Sequence, residues 1–272
     1  MSQSVLPLLV AADLLERDLG REDLLIVEIG DEESYERHHV PGAVHVDYEH
    51  IVGMVPPATG LMPSDMQLSE LFSSLGLAAG KHVIAYDNDK NSLATRLLWT
   101  LDAVGHEGFS LLDGGMSVWR AGEHPIETGV TAAHKTAFRA KTHGKARATK
   151  DYILGKLGDP DVVLLDTRTQ AEYAGLDVRA ARGGHIPGAV NLDWTEAIDL
   201  DRFPRIKPAD QLRLMYEAIG VTPDKEVIVY CQTHHRSSHS YFVLKSLGFS
   251  RLRGYDGSWS EWGNDPEAPI EV

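Results

Sequence analysis

Cysteine is almost absent from this 272-residue chain, which holds only Cys231. A single thiol excludes an intrachain disulfide framework, a CxxC redox pair and any zinc or iron–sulfur site built on several thiolates. Basic charge is also scarce, with 26 Lys and Arg against 40 Asp and Glu and a formal net charge of −14. Affinity for nucleic acid or for an anionic membrane needs a basic surface, so neither partner is expected. Long apolar runs are missing too. The N-terminal stretch VLPLLVAA (5–12) is short, contains Pro7, runs into Asp13, Glu16 and Arg17, and lacks the basic region of a secretion signal. A cytoplasmic location is expected, where a free thiol stays reduced. Neither GxGxxG nor GxxxxGK[ST] occurs, which leaves no warrant for a dinucleotide or ATP site.

What is present is a globular composition, 43% hydrophobic and 7% aromatic, of a length that fits one large domain or two small ones. The chain repeats itself. HVPGAVHVD begins at His39 and HIPGAVNLD at His185; LLIVEIGDEESY (24–35) matches VVLLDTRTQAEY (162–173). Further on, KHVIAYD (81–87) matches KEVIVYC (225–231), and LLDGGMSVWRAG (111–122) matches LRGYDGSWSEWG (252–263). Matching blocks in the same order imply a tandem duplication rather than a short solenoid repeat. Between the copies, residues 130–150 carry six Lys or Arg and no acid, so the rest of the chain bears a formal −20. That polar, unpatterned stretch reads as a linker, with domains at 1–125 and 148–272 and the linker at 126–147.

Within each half, β-branched runs such as VVLLD (162–166) and VIVYC (227–231) alternate with helical periods such as 208–220 and 237–248, where Gly220 and Gly248 stand as stops. Continuous apolar strands alternating with helices imply an α/β fold, a mostly parallel sheet flanked by helices in each domain. Two domains packed on each other satisfy both cores, so a monomer is expected.

The string EVIVY-CQTHHR-SSHSYFVLKSLG reads as buried strand, loop and helix. Cys231 stands at the carboxyl end of a parallel strand, where open α/β sheets bind ligands. Ser237 and Ser238 are capping candidates, and the loop amides with the helix dipole favour a thiolate or a bound anion. Lowering a thiol pKa from about 8.5 to about 6.5 takes roughly 2.7 kcal/mol, more than the roughly 0.3–2 kcal/mol of a helix terminus. Arg236, with His234 or His235 when protonated, can supply the remainder. The competing readings are a buried structural cysteine and a metal site of Cys231, His234, His235 and His239, whose spacing matches no zinc pattern.

The tandem halves, GHIPGAVN (184–191), the strand-Cys-loop-helix at 227–248 and YDGSWSEW (255–262) together resemble the two-domain rhodaneses, the thiosulfate or mercaptopyruvate sulfurtransferases, over almost the whole chain. The resemblance implies tandem rhodanese-like domains, the first non-catalytic and the second catalytic, with a cleft between them. It makes Cys231 the persulfide-forming cysteine and Asp87 its counterpart in the first copy. It further implies an anionic sulfur donor such as thiosulfate, with cyanide or a thiol as acceptor, a thioredoxin-like protein included. No metal or organic cofactor is required. Gln232, Thr233, His234, His235, Arg236 and Ser237 then line the substrate.

The loop CQTHHR departs from the family patterns CRKGVT and CG[ST]GVT. Pro187 follows GHI where thiosulfate members carry Arg, and Arg182 is the candidate to replace that charge. Arg168 reads as an Asp166 ion pair or a substrate contact, and His185 as a turn residue. A 3-mercaptopyruvate sulfurtransferase is the nearest alternative. A cysteine phosphatase is more remote, because such loops place five residues between Cys and Arg and this one places four. A non-enzymatic sulfur or regulatory binding module suits the first copy, with Asp87, better than the second.

Overall fold

The computed structural model describes residues 6–201 and 203–272. Residues 1–5 and Arg202 lie outside the described residues, and with them Val5 of the apolar stretch and the first residues of the expected domain 1–125. Two compact units form. One comprises the chain up to Ile51 with Pro63–Thr142 and Leu200–Arg205; the other comprises Val52–Met62, His143–Asp199 and Ile206–Val272.

Each unit is an α/β layer built on a five-stranded parallel sheet. In the first, β1 (Leu9–Val10), β2 (Leu24–Ile29), β3 (Val44–Val46), β4 (His82–Asp87) and β5 (Phe109–Leu112) lie in the order β1-β5-β4-β2-β3. In the second, β6 (Arg147–Ala148), β7 (Val162–Asp166), β8 (Val190–Asn191), β9 (Glu226–Tyr230) and β10 (Leu252–Tyr255) lie in the order β6-β10-β9-β7-β8. The two orders are the same. The helices match as well: α1 (Ala12–Asp18), α2 (Glu32–Arg37), α3 (Asp65–Ser74), α4 (Ser92–Ala103) and α5 (Gly115–Ala121) are followed by α6 (Lys150–Leu154), α7 (Gln170–Tyr173), α8 (Ala209–Ala218), α9 (Arg236–Ser246) and α10 (Ser258–Trp262). Helices α8 and α9 stop where expected, since Gly220 and Gly248 take φ of +79° and +91° just past their ends.

The repeated sequence blocks are repeated hydrogen bonds. Tyr86 and Tyr230, the last residues before the β4 and β9 loops to be shared by both copies, accept from the backbone N–H of Val40 (3.0 Å) and Ile186 (3.1 Å). Tyr35 and Tyr173 donate to the carbonyls of Ala43 and Ala189, each at 2.7 Å. His185 stacks on Tyr173 at 3.7 Å and exchanges backbone bonds with Glu271, so it is a turn residue. His39 does the same with Tyr35 and Glu127. Trp119 and Trp262 each donate from Nε1 to a proline carbonyl, Pro125 and Pro269, at 2.7 Å. A buried indole N–H needs such a partner, which fixes where each unit's last helix sits.

The space occupied by the two units differs from the chain blocks 1–125, 126–147 and 148–272. The hairpin Gly53–Val55 with Ala58–Leu61 belongs to the second unit although it lies in the first copy of the sequence. The basic stretch is also no free tether. Thr136 N bonds the Ser73 carbonyl (2.9 Å), Ala140 N the Ser69 hydroxyl (2.9 Å) and Thr142 N the Asp65 carboxylate (3.1 Å), which lays the stretch along α3. Lys135, Arg139 and Lys141 occupy the alternate, exposed positions.

Candidate active site

Strand β9 is buried along its whole length between β7 and β10, and it delivers Cys231 to the carboxyl edge of the second sheet. The chain then has to reverse into α9. It does so at His234, whose φ is +57°, a left-handed conformation that His tolerates better than a β-branched residue. Helix α9 begins at Arg236 with His235 as an N-cap that makes no side-chain capping bond. Ser237 and Ser238 therefore lie inside the first turn and do not cap it. The reason is the early left-handed turn, which starts the helix sooner and frees its first N–H groups for another acceptor.

That acceptor is the sulfur. Cys231 is fully buried, and burial, the largest influence on it, pushes the thiol pKa up. The Arg236 charge, the Ser237 hydroxyl and the backbone N–H groups of Ser237 and Thr233 outweigh it and hold the thiol below its ordinary value. Arg236 forks onto the buried Glu172 carboxylate, Nη1 to Oε2 at 2.6 Å and Nη2 to Oε1 at 2.8 Å. Burial would raise the Glu172 pKa, but Arg236 brings it down to about 2. His234 is buried with Nδ1 2.7 Å from the Ser237 hydroxyl.

The loop is held from below by α10. Trp259 N and Ser260 N donate to the carbonyls of Cys231 and Gln232, each at 2.9 Å, and Cys231 N donates to the Ser258 hydroxyl at 3.3 Å. It is held from the side by the hairpin. An added Cβ on Gly60 would lie 2.1 Å from the Thr233 carbonyl oxygen, so the two backbones touch. Thr59 N reaches the Ser260 hydroxyl (3.3 Å) and Met62 N reaches Asp256 (2.8 Å).

The structure thus brings Cys231, Thr233, Arg236 and Ser237 to one point. Gln232 turns its Nε2 to the Arg179 carbonyl at 3.0 Å. Arg182 is placed otherwise. Its Nη2 donates to the carbonyl oxygens of Trp262 (3.2 Å) and Asp265, which ties one arm of the guanidinium to the end of α10. Arg179, which no sequence motif marks, brings a second positive charge to Glu172, its Nε 3.6 Å from Oε1. Arg168 is buried against Asp166 at 2.5 Å with its guanidinium over Trp259 at 4.5 Å, the ion pair rather than a substrate contact. No group of His, Cys, Asp and Glu among the described residues is arranged to hold a metal ion. His239 is fully buried, edge-on to Trp194, and burial takes its pKa down to about 3. No helix among the described residues is long and apolar enough to cross a membrane.

In the first unit the matching strand end carries a carboxylate that its own loop amides hold. Asp87 accepts N–H bonds from Asp89 (2.7 Å), Asn91 (2.9 Å) and Ala94 (2.8 Å). Beside it, buried Glu28 accepts from the Tyr86 hydroxyl at 2.6 Å. Its counterpart Asp166 has Arg168, whereas the position matching Arg168 is Gly30. Without that cation, burial lifts Glu28 to about 7 and, despite its three amides, Asp87 to about 6. Folded carboxyls with raised pKa values bind more protons than unfolded ones, so this unit is expected to gain stability as pH falls through 7 and then 6. Glu28→Gln is expected to stabilise the protein by about 1–3 kcal/mol at pH 8 and by almost nothing at pH 5. Thermal melts at both pH values check this; an equal effect at each would show that Glu28 titrates normally.

Comparisons with known proteins place the chain in a family. The model of the rhodanese-like domain matches residues 11–122 and again 149–265. A thiosulfate sulfurtransferase of Azotobacter vinelandii is 40% identical over 267 residues, covering 98% of each chain. One of Pseudomonas aeruginosa is 40% identical over 269 residues, covering 99% of this chain and 98% of that one. A Thermus thermophilus protein named sulfur carrier protein TtuD is 32% identical, over 96% of this chain and 95% of its own. Among solved structures, an anaerobic ergothioneine biosynthesis enzyme from Chlorobium limicola superposes with a TM-score of 0.87 at 22% identity, over 97% of this chain and 70% of that one, a likeness of fold. The chain belongs to the rhodanese family, with two copies of its domain in tandem.

Proposed function

We propose that this protein is a thiosulfate sulfurtransferase that carries the transferred sulfur on Cys231. The carrying observation is the lone thiol at the end of β9, lowered in pKa by the backbone N–H groups of Thr233 and Ser237 with Arg236 beside it. The 40% identical relatives that bear the name thiosulfate sulfurtransferase support it. The Cys231 thiolate attacks the outer sulfur of thiosulfate; a new S–S bond forms, the donor's S–S bond breaks, and sulfite leaves with the electron pair. The enzyme then holds a persulfide anion against these N–H groups. Cyanide or a thiolate attacks the outer sulfur, takes it as thiocyanate or as its own persulfide, and returns the Cys231 thiolate. This is covalent, two-stage catalysis with a backbone cradle for the charged sulfur.

The part-exposed loop residues Gln232, Thr233 and His235 are the ones left to meet the donor. A relative named a sulfur carrier supports onward transfer of the sulfur, and the acceptor proposed here is a thiol, that of a thioredoxin-like protein included. A reducing, cytoplasmic setting suits a chemistry that needs its thiol free. Incubation with thiosulfate is expected to raise the protein mass by one sulfur atom on the peptide containing Cys231. Steady-state rates are expected to be higher with thiosulfate than with 3-mercaptopyruvate. A protein that takes no sulfur from thiosulfate but takes it from 3-mercaptopyruvate would reverse the donor assignment, and uptake from neither would end it.

A further inference from the structure

Glu172 is a fully buried carboxylate with an unusual amount of structure around it. It forms a capping box with Thr169, giving bonds of 3.2 Å in both directions, so the short helix α7 fixes its backbone and its side chain together. Both oxygens are forked by Arg236, and Arg179 Nε lies 3.6 Å away. A buried carboxylate of this kind stays in place only with its partner, because one member alone leaves an uncompensated charge. Arg236 in turn lies near enough to the Cys231 side chain for its charge to hold the thiol down. With two of its nitrogens committed to Glu172, Arg236 has one orientation left for the sulfur.

The duplication gives an independent observation. In the first copy, the N-cap Asp31 of α2 corresponds to Thr169, which puts Ser34 in the place of Glu172. The first residue of α4, Ser92, stands in the place of Arg236, and Asp87 stands in the place of Cys231. The carboxylate and the guanidinium are thus present together where there is a thiol and absent together where there is none. The fold itself does not require the pair.

We propose that Glu172 is a positioning residue for sulfur transfer: its buried carboxylate holds the Arg236 guanidinium against the Cys231 sulfur, so that Arg236 steadies the sulfur anion rather than reaching out for the donor. The proposal rests on Cys231 being the sulfur carrier, but its first readout does not. Iodoacetamide alkylation rates against pH, measured on the whole protein, report the Cys231 thiol whatever its substrate.

Glu172→Gln, which can fork no guanidinium, is expected to raise the Cys231 pKa by about one unit. It is also expected to lower kcat about tenfold with a smaller change in the donor KM. In an Arg236→Ala background the same substitution is expected to leave the thiol pKa where Arg236→Ala put it. An unchanged or lowered pKa in Glu172→Gln, or an equal shift in both backgrounds, overturns the proposal. Should Glu172→Gln fail to fold, Arg236→Lys decides it. That variant keeps the charge and loses the fork, so its thiol pKa is expected to rise, and a wild-type profile would show that the fork is not needed. Sulfur uptake from thiosulfate, weighed in the same samples, separates failure of this proposal from failure of the sulfurtransferase assignment.

Discussion

Cys231→Asp is expected to leave the second unit folded and to abolish sulfur uptake. The first unit shows why the fold tolerates it: Asp87 sits at the matching strand end with its carboxylate held by three backbone N–H groups at 2.7–2.9 Å. The loop in the second unit has the same length and turns left-handed at His234, where the first does so at Lys90 and again at Asn91. It also has Arg236 where the first copy has Ser92, so a carboxylate at 231 is less penalised than Asp87 is at 87. Turnover of thiosulfate and cyanide is expected to fall by about 10⁴-fold or more, the scale on which removal of a covalent nucleophile acts. Cys231→Ser is expected to behave alike, since a hydroxyl of that size fills the cradle but does not ionise in it. Circular dichroism and a thermal melt test the first half of the expectation, and mass gain with thiosulfate the second. Sulfur uptake by either variant would mean that another residue carries the sulfur.

The sequence makes the duplication, the α/β class, the strand-loop-helix around Cys231 and the Gly220 and Gly248 stops readable, because each is a local pattern. Period, turn residues and a repeated motif survive in a few neighbouring letters. The repeated HxPGA block was readable as a repeat, yet its meaning was not. Only the structure shows that its histidine, the following tyrosine-bound N–H and the distant glutamate form one corner in each unit.

The parts of the site that escaped are those made by contacts between distant segments. Glu172 reads in sequence as one polar residue of a short helix, and its burial follows from α7 lying beside β9's carboxyl end. A capping-box spacing, Thr169 to Glu172, was the one available signal. Arg182 is marked in sequence by its proximity to the GHIPG block, but nearness in sequence does not give direction. The Arg182 Nη2 goes to the carbonyls of Trp262 and Asp265, while Arg179 Nε lies 3.6 Å from Glu172. Ser237 and Ser238 looked like caps because helix starts are judged from residue type. A left-handed His234 moved the start.

Gly60→Ala is expected to cost about 100-fold in kcat/KM although residue 60 belongs to the first sequence copy. The added methyl would meet the Thr233 oxygen at 2.1 Å, its carbonyl carbon at 2.6 Å and its Cα at 2.8 Å, all main-chain atoms that no rotamer change can move. Gly60 itself takes no left-handed φ, so the harm is wholly this collision. One backbone has to retreat by about 1 Å to restore ordinary contact. The hairpin is tied at Thr59 and Met62 to α10 and Asp256, and Asp256 is itself ion-paired with Arg147 at 2.9 Å, so the loop gives way. Thr233 N–H is one of the groups that hold the Cys231 charge, and its displacement removes it from the cradle. A misplacement of about 1 Å near a reacting group is worth about 10² in rate, and overpacking costs about 1–3 kcal/mol of stability. The alkylation profile of Cys231 is expected to move to higher pH in the same variant. Gly53→Ala, in the same hairpin, is the control: its methyl would find the Leu61 oxygen at 3.4 Å, an ordinary contact, and its activity is expected to stay near that of the parent. Full activity in Gly60→Ala, or an equal loss in Gly53→Ala, would show that the hairpin does not set the position of the sulfur loop.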